Sequence, residues 1–286
     1  DKIFERFDPG GYRGTSELTL QDEEGENVNI PAAPVLSQTD AALLQDLLGY
    51  YEELARQEEG NPAIRRKLAN AYRRIGHIRH RLGESDKAIQ AYQKSIEIYE
   101  ELNRNKPGEV KTLTELARAR NQLGSVYAST RQPQQQRSLY RQALATLESI
   151  KGKAARTPKV RFELARSHFQ LSRLGSPRGG PRGGFPGGRR PPPRRGFPFG
   201  RSDEVDHHAK AVEILEALRK QYPKVQEYRF LLALCYREAP RSRDPWTALR
   251  STDKAAKLLE ELIEESPRSG NPEHRHELIK TYARAE

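Results

Sequence analysis

Apolar residues recur at spacings of three and four along most of residues 40–286. That periodicity predicts helices with one buried stripe rather than strands. The stretch Lys67-Leu68-Ala69-Asn70-Ala71-Tyr72-Arg73-Arg74-Ile75-Gly76 carries the pattern and returns. Leu68-Ala69 recurs as Leu116-Ala117 and Leu164-Ala165, each copy 48 residues after the last. Ile75-Gly76 recurs as Leu123-Gly124, and as Leu171-Ser172 in a third, altered copy. Weaker copies follow at Leu232-Ala233 with Tyr236, and at Leu278-Ile279 with Tyr282. A fixed period of this size predicts a solenoid of stacked helix pairs, each burying only a stripe against its neighbours.

The pattern also predicts where the elements lie. Residues 1–36 stand outside the repeat; Glu17 to Leu20 and Val28 to Ile30 alternate as short strands around Asp22 to Gly25, so a small hairpin and a disordered tether both remain open. Ser37 to Asp40 reads as a helix cap, and a helix to about Glu59 ends in Tyr51-Glu52-Glu53-Leu54, which matches Tyr99-Glu100-Glu101-Leu102. It is therefore expected to be the second helix of a unit whose first is absent. The repeat units themselves occupy 37–174 and 203–286, with Asn61-Pro62, Thr157-Pro158 and Asn271-Pro272 as recurring start signals. The first pair is expected over Pro62 to Leu82 and Asp86 to Asn105, the second over Leu113 to Thr130 and Gln135 to Ile150. A third runs from Thr157 to Leu174 and from Asp203 to Tyr222; a fourth follows Pro223, with its second helix over Thr252 to Glu265. Gly76 predicts a close approach of paired helices, with Ala88 and Tyr92 filling the contact.

This series resembles the tetratricopeptide repeat. Tyr72, Ile75-Gly76, Gly83, Ala88, Tyr92 and Ser95 fit one copy, and Leu123-Gly124, Tyr127, Tyr140 and Ala143 fit the next. The departures are a period of 48 in place of about 34, Arg79 where Tyr is usual and Gln136 where Ala is usual. The resemblance implies an all-α, right-handed superhelical solenoid that serves as a protein-protein interaction scaffold and holds a partner peptide in its concave groove. By the same resemblance the groove residues are Asn70, Arg73, His77, Arg118, Asn121, Arg166 and Phe169, with Ser125 and Arg173 at related positions. Arginine and asparagine suit an acidic, extended peptide. Leu43 to Leu48 and Glu227-Tyr228-Arg229 also resemble tetratricopeptide segments attached to bacterial serine/threonine kinases or sigma-factor-linked regulators.

Charge changes the picture in one place. The net charge of the 286 residues is +11, and seven arginines lie between Gly175 and Arg201 with no acidic residue among them. This Gly/Pro/Arg-rich insert, 175–202, cannot bury enough apolar surface to order itself and is expected to be a disordered excursion between two packed helices. Arg178, Arg182, Arg189, Arg190, Arg194 and Arg195 make it the alternative functional element, an RNA- or DNA-binding arm. A mean hydropathy of −0.89 is polar for a globule but suits a solenoid.

Catalysis is not expected. The one cysteine, Cys235, stands at a small-residue packing place, and the histidines mostly replace packing residues: His168 stands where Tyr72 does, and His208 where Tyr92 does. His77 and His80 lie one turn apart with no third donor for a zinc site. No metal or cofactor is expected. The chain has no apolar run of membrane-spanning length and no signal-peptide pattern. A cytoplasmic protein is expected, the alternative being a segment beside a membrane anchor outside these residues. The absence of Met and a start at Asp1 point to a piece of a longer protein.

Overall fold

Asn61 opens the first long helix: its side-chain oxygen accepts from the Ala63 N–H at 3.0 Å, and Pro62 takes the first helical position. The helix, α1 (Pro62–Arg81), gives way at Leu82, and Gly83 turns the chain with φ at +79°, a left-handed conformation that glycine adopts without strain. The return helix α2 (Ser85–Asn105) packs back on α1. The same antiparallel pairing repeats as α3 (Val110–Ser129) with α4 (Pro133–Glu148), α5 (Pro158–Arg173) with α6 (His207–Gln221), and α7 (Gln226–Arg237) with α8 (Pro245–Glu264). The helix α9 (Pro272–Tyr282) follows and packs on α8.

The computed structural model describes residues 18–21, 27–30, 46, 49–50, 53, 61–174, 206–239, 245–265 and 272–282. Strands β1 (Leu18–Gln21) and β2 (Asn27–Ile30) form an antiparallel hairpin, with Leu18 opposite Ile30 and Gln21 opposite Asn27. Residues 46, 49–50 and 53 are helical; the rest of the helix expected over 37–59 lies outside the described residues. So does the whole of 175–205, with Arg178, Arg182, Arg189, Arg190, Arg194 and Arg195. Apart from the hairpin, the described residues form an all-α tetratricopeptide-like solenoid.

Several start points differ from the sequence reading: α6, capped by Asp206, begins at His207 rather than Asp203, and α4 begins at Pro133 rather than Gln135. α3 begins at Val110 rather than Leu113, and α8 begins at Pro245 rather than Thr252. In α8 the proline that reads as an interruption is the first helical residue, where its missing N–H is no loss.

Within the first two pairs a glycine sets the spacing. A Cβ added at Gly76 would lie 2.9 Å from the Tyr92 ring, and one added at Gly124 would overlap Tyr140. Tyr92 and Tyr140, each 1% exposed, are the plugs that these glycines admit. The core is accordingly a row of clusters rather than one centre. One joins Leu68, Tyr72, Tyr99, Leu102 and Leu116, and another joins Ala117, Ala143, Leu147 and Val160. The cluster spanning α5 to α8 holds Phe162, Phe169, Leu215, Leu231 and Leu259.

Candidate functional site

Call the first helix of each pair A and the second B. Each A helix touches the next one: α1 meets α3, α3 meets α5, α5 meets α7 and α7 meets α9. Contacts between successive B helices are at most marginal among the described residues. A stack whose A helices converge and whose B helices splay curves with the A face inward. The seven residues expected in the groove all lie on A helices: Asn70, Arg73 and His77 on α1, Arg118 and Asn121 on α3, Arg166 and Phe169 on α5.

Four of the seven are buried in the seams between A helices. Two repeat positions meet there: the residue five after the repeat leucine of one A helix, and the residue just before the repeat leucine of the next. At the α1/α3 seam these are Arg73 and Glu115, 2% and 5% exposed, with Arg73 Nε 3.8 Å from Glu115 Oε2. Arg73 also donates to Gln122 Oε1 at 3.1 Å, and Lys159 Nζ donates to Glu115 Oε1 at 2.5 Å. Burial opposes ionisation of Glu115, but Arg73, Arg118 and Lys159 outweigh it and hold its pKa at about 2.

The next seams vary the theme. Between α3 and α5, Asn121 Nδ2 donates to Ser167 Oγ at 2.8 Å, while the buried Glu163 lies 3.6 Å from Arg118 Nε and 3.0 Å from Arg166 Nη1. Between α5 and α7 the two positions are Phe169 and Leu231, fully buried in one apolar cluster. Between α7 and α9 they are Arg237 and Glu277, paired again as ions.

The expected groove is thus corrected in part. Arg73, Asn121, Arg166 and Phe169 hold the stack together and are not offered to a partner, because each is at most 3% exposed and has a mate on an A helix or in the core. Asn70, His77 and Arg118 remain half-buried on the A face; Asn70 Nδ2 donates to the Arg66 carbonyl at 3.1 Å. The partners that the sequence reading missed are Glu115, Glu163 and Glu277. Their signal was present, since each stands directly before a repeat leucine: Leu116, Leu164 and Leu278.

A second recurring position lies four residues after the repeat leucine and points between B helices. Arg120 spans that gap, donating to Glu100 on α2 and to Thr146 on α4, each at 2.6 Å. Tyr236 donates to Glu216 on α6 and carries Lys254 of α8 over its ring at 5.1 Å. Tyr282 donates to Glu260 of α8, and Tyr72 carries Lys94 of α2 over its ring. In the third unit the place belongs to His168, whose Nδ1 lies 2.8 Å from Nδ1 of His207. One of the two imidazoles must be a neutral acceptor. Burial, then the neighbouring His207 and Lys210, lowers the His168 pKa to about 4.

The other titratable groups are in packing roles. His208 donates Nε2–H to the Cys235 carbonyl at 2.8 Å, and buried His274 lies on Phe230 with ring centroids 4.9 Å apart. Cys235 is fully buried, and burial pushes its thiol well above the range in which a thiolate forms. His80 Nε2 meets Ser129 Oγ at 3.1 Å. Among the described residues no group of three His, Cys, Asp or Glu could hold a metal ion, and no helix is long and apolar enough to cross a membrane.

The comparisons with known proteins agree with this geometry. The tetratricopeptide repeat model matches residues 67–149 and, in a second form, residues 227–269. No curated protein matches the chain. Among solved structures, BtubC (BKLC) from P. vanneervenii is similar over 86% of this chain and 80% of its own, with a TM-score of 0.51 and 15% identity. TTC0263, a thermophilic TPR protein of Thermus thermophilus, is similar over 85% and 95% of the two chains, at a TM-score of 0.42 and 13% identity. MamA from Desulfovibrio magneticus RS-1 is similar over 80% and 97%, at 0.39 and 15%. With the family's repeats matched on both sides of the insert, and the helix pairs stacked through their A faces, the chain carries tetratricopeptide repeats over residues 67–149 and 227–269, and its architecture is that of a protein-interaction scaffold.

Proposed function

We infer that the A face of the first two units binds an extended, acidic segment of a partner protein. The observation that carries this reading is the division within the A face. Arg73 and Arg166 are buried against carboxylates, whereas Asn70, His77 and Arg118 stay half-exposed on adjoining helices α1 and α3. Arg118 keeps 18% of its side chain exposed, 3.6 Å from Glu163 and near enough to Glu115 to lower its pKa, so it is oriented while still reaching the surface of the A face. Asn70 and His77 offer hydrogen bonds to peptide backbone along the same face. The likeness of Leu43 to Leu48 and of Glu227-Tyr228-Arg229 to kinase-attached segments supports reading the scaffold as a regulatory region of a larger protein.

The test is binding of an immobilised array of acidic dodecapeptides to the whole chain, followed by fluorescence anisotropy on the best sequence. N70A/H77A/R118Q should weaken that binding by at least about tenfold, roughly the worth of one charge-assisted bond. Because Arg118 also faces the buried Glu163 and Glu115, N70A/H77A, which leaves those carboxylates their cation, should weaken binding in the same direction with the melting temperature unmoved. Equal binding by the triple variant would overturn the reading.

A further inference from the structure

We propose that the cleft between α6, α7 and α8 is a second binding site, one that takes a phosphate monoester carried on a partner's side chain. The cleft holds about 280 Å³ and is lined by Arg219, Tyr236, Lys254, Lys257, Leu258 and Glu261. It lies at the gap between B helices that side chains occupy in the second and third units. Arg120 fills that gap between α2 and α4, and the His168–His207 pair occupies it beside α6. In the fourth unit Tyr236 bonds Glu216 and lies under the Lys254 ammonium, and the space beside it stays open.

The lining selects the ligand. Three cations from two helices converge on one small volume: Arg219 from α6, Lys254 and Lys257 from α8. Arg219 is oriented by Glu261 at 3.4 Å and keeps 42% of its side chain exposed, so it stays accessible to a ligand. Lys254 is held over the Tyr236 ring at 5.1 Å, which fixes its ammonium without neutralising it. The Tyr236 ring and the buried Leu258 supply an apolar wall for the carbon part of the ligand. A single dianion with three strong acceptor oxygens matches three such donors; a carboxylate would leave one of them unmet. The volume is just under that of drug-sized pockets, at roughly 300 Å³ and above, and suits one side chain.

A nucleic-acid backbone fits less well. Glu216 and Glu261 flank the three cations, so the positive region is one phosphate wide and a second phosphate along a strand would meet a carboxylate. The site is separate from the A face of α1 and α3, so either can fail alone.

The experiment uses the whole chain and degenerate peptide libraries fixed at their centre with phosphoserine, phosphothreonine or phosphotyrosine, beside unphosphorylated twins. Free phenyl phosphate and a labelled single-stranded RNA are separate arms. A phosphorylated library should bind at least about tenfold more tightly than its twin, and K254Q/K257Q should remove the difference without moving the melting temperature. Binding should also weaken as pH falls through about 6, where the phosphate loses its second charge. Phenyl phosphate binding as tightly as the best peptide would keep the phosphate-monoester chemistry and assign its source to a small molecule. Equal binding of both peptide forms, or an unchanged preference in K254Q/K257Q, overturns the proposal. So does RNA binding that K254Q/K257Q abolishes while the phosphopeptides stay unbound.

Discussion

The α1/α3 seam and the α5/α7 seam use the same two repeat positions with opposite chemistry. At the first, Arg73 meets Glu115, both buried, within a set that includes Gln122 and Lys159. At the second, Phe169 meets Leu231 in an apolar cluster. The difference teaches that the repeat specifies a complementary pair, not a residue type. An arginine on one helix is tolerated in the dark because a glutamate stands on the next. Where the arginine becomes phenylalanine, the glutamate becomes leucine. A buried ion pair of this kind is weak evidence for stability as such, since desolvation offsets much of the attraction, but losing one partner alone is severe.

Breaking the apolar seam should have the largest effect. Leu231→Glu places a carboxylate at a position 1% exposed, with no arginine at the facing position. It should cost about 5 kcal/mol or more, read as a lowered denaturation midpoint of the α5–α8 region. Adding Phe169→Arg to it should recover part of that loss. No recovery would mean that complementarity at these two positions is not what holds the seam.

Next comes the charged seam. Glu115→Gln leaves Arg73 buried without its counter-ion and should cost about 3–5 kcal/mol, whereas R73L/E115L together should lie within about 1 kcal/mol of the parent chain or above it. Urea unfolding of the three variants checks this directly. A double variant as unstable as the single one would show that the surrounding polar groups, not the pair, dominate.

The smallest effect is in the pH dependence. The Glu115 pKa is depressed from 4.5 to about 2, so its contribution is present above 4.5 and is lost as pH falls toward 2. The His168 pKa is lowered from 6.5 to about 4, so the fold favours the neutral ring: stability is full above 6.5 and declines as pH drops toward 4. Both act in the same direction but in successive windows. Stability measured by denaturant from pH 7 downward should therefore fall first in the histidine window, and His168→Phe should reduce that first step. His80, His207 and His274, whose pKa values burial also lowers, contribute the remainder. Retention of the whole step in His168→Phe would assign it elsewhere.

Much of this fold was legible in the chain. The 48-residue return of Leu68-Ala69 and the Asn61-Pro62 start signal place helices within a few residues, because periodicity and capping are local properties. The Gly76–Tyr92 and Gly124–Tyr140 contacts follow too, since a glycine facing an aromatic at a fixed offset is a size match. The candidate site was less legible. An arginine stripe on α1, α3 and α5 reads as a basic groove until the carboxylates of the next repeat are seen to occupy it. That information is spread over two units, and neither helix alone contains it. The cleft beside Tyr236 was hidden for a related reason, as its lining comes from three helices, α6, α7 and α8.

The variation among seams has one more consequence. Tandem copies of a similar unit are prone to slip by one place or to exchange between molecules, because any copy resembles the next. Here a slip by one unit would set Phe169 against Glu277 and Asn121 against Leu231, burying a charge and an amide on hydrocarbon. Each junction is therefore a lock cut for its own neighbour, and the order of the units is written into their edges as well as into the covalent chain.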